Sequence, residues 1–239
     1  MFYPQDRTQL SAEVRQHIKL ADPPELSFPL RALIVPHAGF IYSGPTAGYA
    51  YKLLRHTDFT RVIMLGPSHF VAFSGLALPE ATSLATPLGD IEVDEPLAAQ
   101  LRASPHVHES ARAHRREHSL EVQLPFLREV LPGAPVVPLL TGDVEPTIGA
   151  ELLDGYLTDD TLLVVSSDLS HYHDAGTARR LDLATAETIL RRDADALSWD
   201  AACGRTGIQI ALHLARQREY EVQTLDLRNS ADTAGSPDR

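Results

Sequence analysis

Arg31-Ala-Leu-Ile-Val-Pro-His-Ala-Gly-Phe-Ile-Tyr-Ser-Gly44 is the stretch that decides how this chain is read. Ala32 to Val35 is an apolar run with β-branched residues, cut off by Pro36 because proline has no N–H to give a ladder. It reads as a buried strand with His37 at its tip. Gly39 and Gly44 allow a close backbone approach, and Pro45 suits the first turn of a helix running to Leu54. The scheme recurs twice. Arg61-Val-Ile-Met-Leu-Gly-Pro-Ser-His69 is again strand, breaker and histidine, and Thr161-Leu-Leu-Val-Val-Ser-Ser-Asp-Leu-Ser-His171 repeats it with Asp168 added. In open α/β sheets ligands bind at the carboxyl edge, where strand-to-helix loops converge. The expectation is an α/β sheet that delivers three histidines to one shared site.

Working outward, the first two strands and the helix between them form a βαβ unit, so they run parallel. Upstream, Val14, His17 and Ile18 share a helical face, with Ser11 as cap. Downstream, Gly75–Leu78 and Gly89–Val93 read as strands at one side of the sheet, Pro96–Ala103 as a helix, and Val107–Ala111 as ambiguous. Ser119 caps a helix carrying Leu120, Leu124 and Leu127, which Pro125 kinks or breaks. Glu117 and Glu121 read as helix-start charges. Val136–Leu140 is a further buried strand, and Ile148–Tyr156, Thr177–Arg191, Asp193–Ser198 and Gly207–Ala215 are helices. Glu221–Leu227 reads as a last strand and Asn229–Arg239 as a polar tail.

The 239 residues suffice for a single α/β domain with a substantial core. A formal charge of -11 argues against a nucleic-acid surface, and the basic Arg112–Arg116 stretch reads as a solvated loop. Cys203 is the single cysteine, so no internal disulfide forms and a cytoplasmic location is the default. No segment approaches the roughly 20 apolar residues of a membrane span, and the first residues lack a signal-peptide pattern.

Imidazole nitrogen with thiolate sulfur suits zinc, iron or copper better than magnesium or calcium. His37, His69 and Cys203 supply three such ligands, with Cys203 ahead of a helix whose N-terminal partial charge favours thiolate. Asp168 and His171 complete the sphere or act on a bound substrate or water. His118 is a candidate for the pocket, His173 is undecided, and His17, His56, His106, His108, His114 and His213 read as structural or exposed. His-Glu-x-x-His, Gly-x-Ser-x-Gly and Walker-type loops are absent.

Five segments resemble, in order, the signatures of the Memo family, also labelled AmmeMemoRadiSam system protein B: Pro36–Ala47, Gly66–His69, Glu117–Leu127, Ser166–Tyr172 and Cys203–Gly204. The resemblance implies an α/β/α sandwich around a mixed, largely parallel sheet, like the class III (LigB-type) extradiol dioxygenases. It implies iron or copper on His37, His69 and Cys203, with Asp168 and His171 beside it. In those dioxygenases the third ligand is a carboxylate, so a cysteine there argues against ring cleavage. The family's chains continue past the segment resembling Asn229–Gly235 into another apolar strand, so the expectation is either a piece of a longer chain or a sheet lacking one strand. Three functions follow: redox or dioxygen chemistry on an unidentified small molecule, a non-catalytic peptide- or protein-binding module in a vestigial pocket, or a genuine extradiol dioxygenase.

Overall fold

The computed structural model describes residues 2–234. In chain order it contains α1 (Arg7–Leu20), β1 (Ala32–Val35), α2 (Phe40–Lys52), β2 (Arg61–Pro67), β3 (Leu76–Leu78), β4 (Ser83–Leu84) and β5 (Ile91–Glu92). There follow α3 (Glu95–Arg102), β6 (Val107–Glu109), α4 (Ala111–His114), α5 (Leu124–Val130), β7 (Val136–Thr141) and α6 (Pro146–Asp154). β8 (Thr161–Ser166), α7 (Ala175–Leu190), α8 (Arg205–Gln217) and α9 (Ser230–Ala234) complete it.

Strands that are apolar without alternation must be covered on both faces. β2, β7 and β8 are such strands, and they occupy the middle of a six-stranded sheet of order β1-β8-β2-β7-β3-β6. β1, β8, β2 and β7 run parallel, β3 is antiparallel to β7, and β6 is parallel to β3. Leu10, Val14, Ile18, Phe40, Tyr51 and Phe126 from α1, α2 and α5 fill one face. Leu97, Leu101, Leu153, Ile208 and Leu212 from α3, α6 and α8 fill the other. The result is the expected α/β/α sandwich on a mixed, largely parallel sheet.

The structure corrects several local expectations. β1 and β2 are parallel but not neighbours: β8, whose Leu162, Val164 and Val165 are fully buried, lies between them. α1 begins earlier, because Asp6 accepts a hydrogen bond from the Gln9 N–H at 2.9 Å and caps ahead of Ser11. α2 starts at Phe40 and holds Pro45 inside it. Pro125 lies in the first turn of α5, where its missing N–H costs nothing, so it neither kinks nor breaks that helix. The Val107–Ala111 ambiguity resolves into β6 and the start of α4, and α4 takes up part of the basic stretch read as a loop. β5 pairs with β4 in a separate hairpin rather than joining the main sheet. Asp193–Ser198 shrinks to a single 3-10 turn. Glu221–Leu227 makes no ladder, although its composition suits a strand, and part of the expected polar tail is α9. Residues 235–239 of that tail lie outside the described residues. Among the described residues no helix is long and apolar enough to cross a membrane.

Candidate metal centre

Adjacent parallel strands end side by side, and the order β1-β8-β2 therefore puts His37, Asp168 and His69 at neighbouring tips. Cys203 joins them from the start of α8. Gly204 lets that helix approach β8, since a Cβ there would stand 2.6 Å from the Ser167 Cβ and 2.7 Å from the Ser166 carbonyl oxygen.

Hydrogen bonds fix which nitrogen each imidazole presents. Ser166 donates its single hydroxyl proton to the Ser119 carbonyl, and Gln123 donates Nε2–H to the Ser166 Oγ at 2.7 Å. Ser166 can then only accept from His37 Nδ1, 2.9 Å away. His37 is thereby protonated at Nδ1, and its Nε2 lone pair faces the Cys203 sulfur at 3.3 Å. Gln123 is itself oriented by the Tyr51 hydroxyl, which donates to Oε1 at 2.8 Å. These groups are buried, so the relay holds the ring firmly.

His69 is held in the same way by a different residue. Its Nδ1 lies 2.8 Å from Glu117 Oε1, while Glu117 also accepts the N–H groups of His69, His118 and Ser119. Burial alone would raise the Glu117 pKa; the ring and backbone donors and the charge of His69 bring it down to about 2. The carboxylate thus stays ionised and keeps a proton on His69 Nδ1, freeing Nε2.

The electrostatics favour a cation between these groups. Bonds to Cys203 and Glu117 raise His69 to about 10 against the opposing effect of burial. Burial opposes a charge on His37 too, yet Cys203 and Asp168 leave it raised. Burial would push the Cys203 thiol up, and the two histidines bring it down to about 6. A proton and a metal ion would compete for the same imidazole nitrogens.

His118 completes the cluster. Its ring stacks on His69 with centroids 4.8 Å apart, meets His37 edge-on at 5.6 Å, and is backed by Phe2 at 4.2 Å. One ring nitrogen each of His37, His69 and His118 lies within 4.8 Å of the others, an arrangement that can hold a metal ion. Burial, together with the charges of His69 and His37, holds His118 below the usual histidine range while Glu117 pulls the other way.

The remaining predicted residues sit further out. Asp168 turns Oδ1 to the backbone N–H of His37 at 2.7 Å and of Ala38 at 3.3 Å, so it braces the β1 exit. Its own N–H points at the Cys203 sulfur at 3.3 Å. His171 is exposed, with its Nε2 3.9 Å from Asp168 Oδ2, and His173 is exposed. Glu117 is not the helix-start charge expected of it, and Ser119 caps no helix: its hydroxyl donates to the Pro67 carbonyl at 2.8 Å.

The Memo-like protein family profile matches residues 1–239. The chain belongs to the Memo family. It is similar to a MEMO1 family protein of Caldivirga maquilingensis, 34% identical over 223 residues covering 85% of this chain and 78% of that protein. A MEMO1 family protein of Thermoplasma volcanium is 30% identical over 249 residues, covering 99% and 91%. A memo-1 homolog of Caenorhabditis elegans is 41% identical over 150 residues, covering 59% of this chain and 43% of that protein. For a Memo chain, Glu117, Gln123 and Ser166 are the contributors that sequence reasoning missed. All three lie inside the signature segments Glu117–Leu127 and Ser166–Tyr172, which gave no role to the individual residues.

Proposed function

We propose that the chain is a metal-dependent redox protein binding iron or copper through His37 Nε2, His69 Nε2 and the Cys203 thiolate. The observation that carries this is the pair of tethered imidazoles. Each has Nδ1 committed to an outer partner and Nε2 left for an ion, which is how proteins orient histidine ligands, and the Cys203 sulfur lies 3.3 Å from His37 Nε2. A mixed nitrogen and sulfur donor set suits iron or copper and is wrong for magnesium or calcium. Bound there, either metal supplies one-electron chemistry, and a dioxygen-related reaction on a small organic molecule is the activity proposed.

Around that centre the chain's own residues position and move protons. His118, neutral near pH 7, faces the site and takes up a proton from a bound molecule. Asp168 holds the His37 backbone in place. His171 lies at the rim. Ring cleavage of the extradiol type is disfavoured, because the third donor proposed at the site is a thiolate, which donates differently from a carboxylate and oxidises readily. A thiolate ligand suits a reducing compartment, and the cytoplasm is the proposed location.

Elemental analysis of untagged protein tests the reading. Wild type is expected to retain stoichiometric iron or copper, and a His37→Ala, His69→Ala, Cys203→Ser triple variant to lose it. Unchanged metal content in that variant would remove the proposal.

A further inference from the structure

A polar cavity of about 410 Å³ lies between the β7–α6 connection, the 3-10 turn Ala194–Ala196 and α8, and none of the proposed metal ligands lines it. Arg205, Gln209 and His213 line it from α8, where a spacing of four residues puts them on one face. Asp143, Glu145 and Asp195 line it from the other two segments. We infer that this cavity binds a small linear polyamine, held through its ammonium N–H groups.

Gln209 indicates that the ligand is a donor. The residue is 5% exposed, and its Nε2 donates to the Ala194 carbonyl at 2.7 Å. That bond fixes the amide, because a flip would set two oxygens against each other. Oε1 is left with no hydrogen-bond partner among the described residues. A buried acceptor without a partner costs free energy, so an N–H entering the cavity and reaching Oε1 recovers it.

Three carboxylates set the sign of the ligand's charge. Asp143 has a rigid backbone: its N–H donates to the Phe73 carbonyl at 2.8 Å and its carbonyl accepts from the Gly75 N–H at 2.9 Å. Glu145 stands at the N-cap of α6, yet its side chain makes no capping bond. Asp195 lies in the turn that the Asp193 side chain caps. Among the described residues none of the three carboxylates has an ion pair or a hydrogen bond, while Arg205 spends its Nε–H on the Leu197 carbonyl at 2.9 Å. Three negative charges against one guanidinium favour a cation, and an amino acid or a nucleotide would bring its own anion against them. Spacing decides between a metal ion and a longer cation. Among the described residues His37, His69 and His118 are the only three metal-type donors that converge within 4.8 Å, so the carboxylates here do not close on a point. Amines a few carbons apart reach separated acceptors that a single ion cannot bridge.

Titration calorimetry of the full chain with spermidine tests this, in about 0.15 M salt so that diffuse attraction to an acidic protein is screened. Saturable binding at one site is expected. Asp143→Asn, at an exposed position that leaves the fold intact, should weaken it about tenfold, and Gln209→Leu, which changes no charge, should do the same. Asp90→Asn removes the same charge at an exposed position outside the cavity and should leave the affinity as it is. Any of four results would overturn the inference: no saturable binding, equal weakening by Asp90→Asn and Asp143→Asn, wild-type affinity in Gln209→Leu, or displacement of spermidine by magnesium bound more tightly at the same site. Tighter binding of a di-lysine peptide than of spermidine would also overturn it, by making the ligand a protein side chain.

Discussion

Two parts of this molecule hold histidine side chains in place, and they do so differently. At the strand tips, His37 and His69 each have one nitrogen tied to a defined acceptor, and the other nitrogen of His37 faces Cys203. Between α1 and α2, His17 is packed over Gly44, and its Nε2 has no hydrogen-bond partner; Glu13, at 3.6 Å, is too far for one. Burial holds His17 below the usual range, against the pull of Glu13. The same residue type thus serves as filler in one place and as a candidate metal ligand in the other. The outer partner of the ring decides which, not burial.

Breaking the ligand side should give the largest effect. Cys203→Ser is expected to lose nearly all bound metal without loss of fold, by elemental analysis and circular dichroism, whereas His17→Gln keeps its metal. Equal loss in both would erase the distinction. Next comes the outer partner: Glu117→Gln leaves every ligand in place, yet should weaken metal affinity about 10- to 100-fold in competition titrations.

On the packing side, Gly48→Ala puts a Cβ 2.4 Å from the His17 carbonyl oxygen, a backbone atom that cannot swing aside. We expect a loss of about 1–3 kcal/mol in urea unfolding, with metal content per folded molecule unchanged. The smallest effect is a pH slope. Because the folded His17 pKa lies below its unfolded value, the unfolded chain gains a proton first as the pH falls through about 6.5, so stability declines there. His17→Gln should flatten that part of the curve.

How much of this was visible in the residue string follows from sequence distance. β1, β2 and β8 each announce themselves by an apolar run with a breaker and a histidine within a few positions, and their parallel alignment places the tips together. The partners of those histidines carry no such mark. Glu117 meets His69 across 48 positions and Ser166 meets His37 across 129, so only the assembled sheet pairs them. His171 was read as part of the cluster because it follows β8. Two further residues past Asp168, however, carry it out to the rim. Glu221–Leu227 has a strand's composition, but a strand needs a neighbour, and among the described residues that segment pairs with none.

At the proposed centre, one sulfur and two imidazoles share a single ion. Anomalous diffraction from crystals of the metal-loaded chain, collected at the iron and copper edges, tests this directly. It should show one peak within bonding distance of His37 Nε2, His69 Nε2 and Cys203 Sγ. A peak held by His37, His69 and His118 with the sulfur turned away, or no peak between the strand tips, would contradict it.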